Sequence, residues 1–191
     1  MSDVGHTLPE DLSDALDDEL VRRARLGDKD AFGTLSRRHG AAMYRFARRM
    51  LHDDAASEDC VQDALVAAWT SVDRFRGDAA ARTWLFGILA NVVRRRLRTE
   101  GRHPTSELPL QISADVATEP DATARAHGLR EALEIALAGL PAMQRACWIL
   151  VEVERMSYAD AARVQATTVG TVRGAVHRAR QNLERRLEAW R

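Results

Sequence analysis

The chain has 191 residues with 28 Lys and Arg against 28 Asp and Glu, so its formal net charge at pH 7 is zero. Hydrophobic residues make up 46% of it, enough for a core, while 5% aromatics and 5 prolines favour helix over sheet. No apolar run is long enough to span a membrane, and the acidic N-terminus is unlike a signal peptide. We therefore expect an all-α protein of one or two small domains.

The N-terminal part of the chain has an acidic block followed by a basic block. The first 20 residues contain seven acidic residues and no Lys or Arg, and residues 1–16 are expected to form a flexible tail. The next 30 residues contain nine cations, and apolar residues at helical spacing predict one or two helices between Asp17 and Leu51. Breaks are expected at Gly27-Asp28 and at His39-Gly40.

The next predicted helix, from Asp53 to Val72, is strongly acidic. Residues 51–73 contain six acidic residues and no Lys or Arg. One face of the helix is apolar, and the polar face carries Asp59, Gln62 and Asp63. A face in contact with solvent is the simplest interpretation, but the absence of cations favours a basic protein partner.

A loop over Phe75–Arg82 separates this helix from another, which is predicted between Thr83 and Thr99. Trp84 recurs with Ile88 at i+4, which favours a core position over insertion into DNA. The three residues from Arg94 to Arg96 are consecutive arginines, which cannot all face one core. At least two of them are expected at the surface, where a guanidinium group suits phosphate.

Residues 101–124 differ in composition from the rest of the chain. They contain three of the five prolines, and four acidic residues against one Arg. This composition predicts an extended, negatively charged linker. The chain therefore divides into a first helical domain over residues 17–100 and a second over residues 125–191.

The second domain ends in a predicted helix-turn-helix. Pro141 suits the first turn of an earlier helix. Ser157 can cap the first helix of the pair, and Thr167 or Thr168 can cap the second. Along that last helix an apolar stripe recurs at i, i+4 and i+7. The stripe consists of Val172, Val176, Ala179, Leu183, Leu187 and Trp190.

Cationic side chains lie on a different face of the last helix from its apolar stripe. Arg173, His177 and Arg180 recur there at helical spacing. A short helix, a turn and a helix with exposed arginines form the shape that enters the DNA major groove. A charged, solvent-facing surface on an ordinary helical hairpin is the alternative interpretation.

Motifs for catalysis are absent from the sequence. It contains no glycine-rich phosphate loop, no Cys-x-x-Cys pair and no His-Glu-x-x-His. Cys60 and Cys147 each stand alone in an apolar helical pattern, which predicts structural thiols in a reducing cytoplasm. We therefore predict no catalytic residue, no metal site and no cofactor.

Four segments, in order, resemble the extracytoplasmic-function (ECF) sigma factors, the small two-domain members of the bacterial sigma-70 family. The segment from Ala31 to Arg45 is similar to the family's first helices, and Ser57–Trp69 is similar to its polymerase-binding helix. Residues 75–91 resemble the promoter-melting segment, and residues 170–180 resemble the helix that recognises the upstream element. The pair Gly174-Ala175 stands where a Ser and an Arg are usual in the family.

The resemblance implies an alternative sigma factor that directs promoter-specific transcription initiation. A region 2-like domain, residues 17–100, would bind core RNA polymerase and recognise and melt the −10 element. A region 4-like domain, residues 125–191, would bind the −35 element. The implied polymerase contacts are Asp59, Gln62, Asp63 and Trp69. The implied −10 contacts are Phe75, Arg76, Arg82, Trp84, Asn91, Arg94 and Arg95, and the implied −35 contacts are Thr171, Arg173, His177, Arg178 and Arg180.

The resemblance also implies the partners of the chain. These are the β′ clamp helices and the β flap of core RNA polymerase, promoter DNA, and an anti-sigma factor. The positions of Phe75 and Asn91 are those that hold a base flipped from the non-template strand. The implied location is the cytoplasm, at the bacterial nucleoid and without membrane insertion, although an anti-sigma factor can hold such a protein at the membrane. Two alternatives remain: a stand-alone helix-turn-helix regulator, and a sigma-like interaction module without promoter activity.

Overall fold

The protein is built from helices throughout the part of the chain that the structure covers. The computed structural model describes residues 12–100 and 122–188, and within them every regular element is helical, which confirms the all-α class. In chain order the helices are α1 (Asp17–Arg25), α2 (Lys29–Leu51), α3 (Asp54–Ser71), α4 (Ala81–Glu100), α5 (Ala122–Ala138), α6 (Ala142–Trp148), α7 (Tyr158–Val164) and α8 (Val169–Arg186). A 3₁₀ turn (Val72–Arg74) follows α3, and a π-helical segment (Ile149–Val153) follows α6.

The first expected break in the N-terminal helical region is confirmed. Gly27 has a φ of +88°, a left-handed conformation that lets the chain turn between α1 and α2. Asp28 then caps α2, because its side chain accepts hydrogen bonds from the backbone N–H groups of Asp30 and Ala31. These bonds, together with the Arg23 guanidinium, lower the pKa of the Asp28 carboxyl group.

The second expected break, at His39-Gly40, is wrong. Helix α2 continues through both residues to Leu51. His39 is buried, and its Nε2 lies 2.7 Å from the Asp17 Oδ2. The packing of α2 against its neighbours therefore outweighs the weak helix propensity of a single glycine.

The expected flexible tail over residues 1–16 does not extend to its predicted end. Leu12 is buried in the core, and Arg38 donates a hydrogen bond to the backbone oxygen of Ser13. Residues 1–11 lie outside the described residues. Leu12 precedes Leu16 and Leu20 at i+4 spacing, so the helical pattern reaches into the segment that its acidic composition assigned to the tail.

Both helices of the predicted helix-turn-helix are capped as expected. The Ser157 hydroxyl accepts a hydrogen bond from the Asp160 N–H at the start of α7. The Thr168 hydroxyl accepts one from the Thr171 N–H at the start of α8. The apolar stripe of α8 is buried from Val172 to Leu183, while Trp190 lies outside the described residues.

The boundary between the expected linker and the second domain shifts by a few residues. Helix α5 begins at Ala122, within the segment 101–124 that the composition assigned to the linker. Residues 101–121 lie outside the described residues. The prolines and acidic residues fall before α5 begins, so the composition of the segment masked the start of the helix.

The two helical regions share one hydrophobic core. Buried side chains of α1 to α4 and of α6 to α8 form one contiguous cluster, which includes Phe46, Phe86 and Ile149. A smaller cluster joins α5 to α8 through Leu137 and Leu183. Helix α4 packs directly against α7. The helix-turn-helix is therefore docked on the first helical region.

Candidate nucleic-acid interface

The acidic residues of α3 lie on an open face of the first domain. Asp59, Gln62 and Asp63 are exposed, whereas the opposite side of the helix is buried. The helix begins after Asp53, whose side chain accepts a hydrogen bond from the Ala56 N–H. Next to it, the carboxyl group of Asp54 accepts hydrogen bonds from Tyr44 and Arg48, which lower its pKa.

Val66 is an apolar member of this face that the sequence analysis missed. It lies one helical turn beyond Gln62 and Asp63, and 64% of its surface is exposed. An apolar centre with a polar rim is the usual composition of a protein interface. The signal was available, because Val66 falls outside the apolar stripe of α3. We call Asp59, Gln62, Asp63 and Val66 together the acidic face of α3.

Trp69, the fourth predicted polymerase contact, is half-buried at the edge of this face. Its ring packs against Phe32 of α2, with the ring centroids 5.1 Å apart. Packing of this kind fixes the orientation of the indole ring. A contact with polymerase through the exposed part of the ring stays a prediction.

A cleft of about 390 Å³ opens beside α4 and brings together four of the predicted −10 contacts. Phe75 and Trp84 form an aromatic wall, with ring centroids 5.1 Å apart and planes at 48°. Asn91 lines the same cleft two helical turns beyond Trp84, and Arg76 lines it on the loop side. Arg74, which the sequence analysis did not select, lines it as well. We call this the α4 cleft.

Trp84 contributes both to the hydrophobic core and to the α4 cleft. The sequence pattern favoured a core position over insertion into DNA, and the residue is half-buried rather than fully buried. One side of the ring packs in the core cluster, while the ring also lines the α4 cleft. Its packing against the core makes this wall of the cleft rigid.

Arg82 and Arg94 do not point into free solvent as expected for phosphate contacts. Arg82 donates a hydrogen bond of 2.7 Å to Glu154, and its guanidinium lies 5.4 Å from the centre of the Phe86 ring. Arg94 donates to the Asn91 side chain at 2.7 Å and to the Gln165 side chain at 3.3 Å. Both arginines therefore contact residues of the second domain. Arg95 is exposed.

The far wall of the α4 cleft comes from the helix-turn-helix. Arg163 and Val164 at the end of α7, and Ala166 in the following turn, complete the lining. Ala166 has a φ of 50°, the left-handed conformation that the turn between α7 and α8 requires. No periodicity or spacing in the sequence links these residues to the α4 segment.

Helix α8 exposes all five of the predicted −35 contacts. Thr171, Arg173, His177, Arg178 and Arg180 are all exposed.

Two of these cations have partners within the second domain. The Arg173 guanidinium lies 5.8 Å from the centre of the Tyr158 ring of α7. Arg180 forms an ion pair with Glu152, which raises the pKa of its guanidinium. These contacts orient the side chains without burying them.

The two cysteines are buried and are not joined in a disulfide, as expected for structural thiols. Burial raises the pKa of the Cys147 thiol to about 11, which keeps it protonated and unreactive at neutral pH. Within the described ranges no cluster of His, Cys, Asp and Glu is arranged to hold a metal ion. None of the described helices combines the length and apolar character needed to cross a membrane.

Comparison with known proteins decides the family. Residues 35–103 match Sigma-70 region 2, and residues 130–183 match Sigma-70, region 4. The ECF RNA polymerase sigma factor SigM of Mycobacterium tuberculosis is 37% identical over 171 residues, which cover 90% of this chain and 84% of that protein. The chain is an ECF sigma factor. The family predicted from the four sequence segments is thereby confirmed.

The sigma factor has further relatives of similar length. The RNA polymerase sigma-H factor of Pseudomonas aeruginosa is 32% identical over 186 residues, covering 93% of this chain and 96% of that one. The structure of CnrH in complex with the cytosolic domain of CnrY matches with a TM-score of 0.69 and 31% identity, covering 91% and 97% of the two chains. RpoE in complex with the anti-sigma factor NepR from Bartonella quintana matches with a TM-score of 0.67 and 28% identity, covering 84% and 98%.

Proposed function

We propose that this sigma factor directs transcription initiation through three separate faces. The acidic face of α3 binds the β′ clamp helices of core RNA polymerase. The α4 cleft captures an unpaired base of the −10 element, and the exposed side of α8 reads the −35 element in the major groove. Each face combines residues whose chemistry suits its partner.

The observation that supports this function most strongly is the composition of the α4 cleft. A base that has left the DNA stack needs a flat apolar surface to pack on and a polar group to read its edge. Phe75 and Trp84 provide the surface, and the amide of Asn91 can both donate and accept hydrogen bonds. Arg74 and Arg76 line the same cleft, where their charges attract the adjoining phosphates.

The assignment of α8 to the −35 element depends on its exposed cations. A bidentate contact from Arg to guanine specifies a base pair, whereas contacts to phosphate only position the helix. Arg173 and Arg178 both lie in the exposed part of α8, near the turn that follows α7. A single small helix-turn-helix reads few base pairs, so tethering to polymerase and the second DNA contact supply the remaining specificity.

An anti-sigma factor is the expected regulator. The similar protein RpoE is seen with the anti-sigma factor NepR. By analogy this sigma factor is sequestered until a signal releases it, and a membrane-bound anti-sigma factor would hold it at the membrane.

The test of the base-capture role compares Asn91→Ala with Arg94→Ala in a reconstituted holoenzyme. Run-off transcription measures output, and permanganate footprinting reports the melted bases. We expect Asn91→Ala to slow promoter opening and to lose base preference, while core binding stays at the wild-type level. A template with a pre-melted bubble should partly rescue Arg94→Ala, because pairing no longer opposes capture, but should not restore base preference in Asn91→Ala.

Two results would contradict the proposal. If Asn91→Ala opens promoters at the wild-type rate with the wild-type preference, the pocket lies elsewhere. If the free protein binds duplex promoter DNA with nanomolar affinity and sequence specificity at physiological salt, a stand-alone regulator explains the chain better. A mobility-shift assay without polymerase measures the second property directly.

A further inference from the structure

The second domain lies against the part of the first domain that the proposed function assigns to the −10 strand. Helix α4 packs against α7, and the α4 cleft is closed on one side by Arg163, Val164 and Ala166. The domain proposed to read the −35 element therefore sits where the single-stranded DNA has to enter. The contacts that hold it there involve polar groups as well as apolar ones.

Glu154 contacts Arg82 in the way that a phosphate would. Its Oε2 accepts a hydrogen bond of 2.7 Å from the Arg82 guanidinium, and the glutamate side chain is only 3% exposed. The π-helical segment places it there, since the Glu154 N–H donates to the carbonyl oxygen of Ile149, five residues earlier. A guanidinium group forms the same kind of charge-assisted hydrogen bond with a carboxylate as with a phosphate.

Gln165 makes the second polar contact across the same boundary. It is buried at the end of α7, and its side-chain oxygen accepts a hydrogen bond of 3.3 Å from Arg94. Arg94 in turn donates to the Asn91 side chain at 2.7 Å. Gln165 of the second domain therefore contacts the arginine that is hydrogen-bonded to the amide proposed to read a base edge.

We propose that Glu154 and Gln165 act as an internal substitute for promoter DNA, so that the docked second domain and the −10 strand exclude one another. This inference rests on the proposed function of the α4 cleft. It adds that the free protein suppresses its own single-strand binding, and that the two domains must separate before Arg82 and Arg94 can meet phosphate.

Burial makes the two states mutually exclusive. The Glu154 Oε1 is buried and has no hydrogen-bond partner among the described residues, so the ion pair with Arg82 is the main compensation for burying this carboxylate. If Arg82 turned to a phosphate while the domains stayed docked, the carboxylate would be left buried and unpaired, which is strongly unfavourable. Release of Arg82 therefore requires Glu154 to return to water, which separates the domains.

The experiment compares Glu154→Gln with Glu152→Gln in the full-length protein without polymerase. Both variants remove one negative charge from the same segment, but Glu152 pairs with Arg180 inside the second domain. Binding of a fluorescent single-stranded oligonucleotide with the non-template −10 sequence is measured by anisotropy. Small-angle X-ray scattering measures the radius of gyration, and circular dichroism confirms that each variant is folded.

We expect Glu154→Gln to bind the oligonucleotide about tenfold more tightly than wild type, because more of the protein is in the competent state. Its radius of gyration should also increase. Glu152→Gln should match wild type in both measurements. Gln165→Ala removes the contact with Arg94, and it should likewise raise the affinity for the oligonucleotide and the radius of gyration. This variant keeps the test informative if Glu154→Gln does not fold.

Wild-type affinity in folded Glu154→Gln and Gln165→Ala would overturn the inference, whether or not the radius of gyration changes. An equal gain in Glu152→Gln would overturn it too, since general charge would then explain the effect. Failure of the proposed function would be seen separately, in the permanganate footprint of the wild-type holoenzyme. In the holoenzyme polymerase holds the two domains, so the footprint does not depend on whether Glu154 contacts Arg82.

Discussion

Arg178 lies along the surface of α8 over the residue one turn earlier. A Cβ atom at Gly174 would come within 3.3 Å of the Arg178 guanidinium, which is the flexible end of a side chain. The glycine therefore leaves room for the arginine to lie flat on the helix, at a cost of about 1 kcal/mol in helix propensity. Arg173, in contrast, is oriented by the ring of Tyr158.

Arg173→Ala and Arg178→Ala are expected to lower transcription from promoters that depend on the −35 element. A bidentate base contact contributes about 1–3 kcal/mol of discrimination, whereas loss of a phosphate contact weakens all sequences alike. Run-off transcription on templates with matched and scrambled −35 elements separates the two cases. Arg185→Ala is the control, since this exposed arginine lies at the far end of α8 and donates a hydrogen bond to the Asn182 side chain.

If neither Arg173→Ala nor Arg178→Ala changes output on either template, α8 is not the recognition helix. A loss on the matched template alone identifies a base contact. An equal loss on both templates identifies a phosphate contact.

Single residues differed in how well the sequence revealed them. Ser157 was predicted as a cap, and Thr168 as one of two candidates, because a cap depends on neighbours within one turn. Phe75 and Trp84 were both selected from one short segment, but the contact between their rings was not predicted. Val66 was missed because it is an apolar residue that lies outside the apolar stripe of its helix.

Helix α3 combines two functions on opposite sides. One side packs into the core, and the other presents the acidic face to solvent. The exposed side is therefore available to a partner, and its residues do not contribute to the core. Substitutions there are expected to affect binding more than stability.

The double variant Asp59→Ala, Gln62→Ala is expected to weaken binding to core polymerase while the fold is retained. Loss of exposed charge-assisted contacts costs about 1–3 kcal/mol, roughly a fivefold to 150-fold rise in Kd. A competition assay against labelled wild-type sigma factor measures the change, and thermal melting checks the fold. Asp73→Ala is the control, since it removes an exposed acidic residue from the 3₁₀ turn after the helix.

Wild-type affinity of the folded double variant would remove α3 from the polymerase interface. An equal loss in Asp73→Ala would instead show that the general negative charge of the region attracts polymerase. Comparing both variants with Val66→Ala then tells whether the apolar centre of the face contributes.

Apolar periodicity predicted most of the helices and their approximate positions. Whether a glycine breaks a helix depended on long-range packing. Gly27 was a reliable break because the chain there needs a left-handed residue. Gly40 carries the same sequence signal but lies in the middle of α2, next to the buried His39. A glycine alone does not distinguish the two situations.

The docking of the two domains is the feature that the sequence could not predict. The ion pair between Arg82 and Glu154 joins residues 72 positions apart, and the contact between Arg94 and Gln165 spans 71. Periodicity, capping and composition report only on neighbours within one element. The acidic linker indicated two domains but gave no information about the contact between them.

A further group of polar contacts between the domains includes His52 at the end of α2. His52 has a φ of 59°, and its Nδ1 lies 3.4 Å from the Arg145 guanidinium of α6. Nearby, Arg49 pairs with Glu134 of α5 at 3.0 Å. Burial, and then the charges of Arg145 and Arg48, lower the pKa of His52, while Glu134 opposes them more weakly. Burial also lowers the pKa of Arg145.

The position of His52 predicts a loss of stability in mild acid. Because its pKa is below 6.5 in the folded protein, the unfolded chain binds the proton more readily, so this contribution is present above pH 6.5 and is lost as the pH falls below it. His52→Asn removes the titrating group and keeps a residue that tolerates a positive φ. Thermal melting between about pH 8 and about pH 5 should show a smaller pH dependence in His52→Asn than in wild type.

The other histidines are common to both proteins, so they cancel in the comparison. The carboxyl groups with lowered pKa values, Asp28 and Asp54, titrate below their usual 3.8 and do not contribute in this range. If the two proteins lose stability in parallel across it, His52 does not control the acid sensitivity of this domain contact.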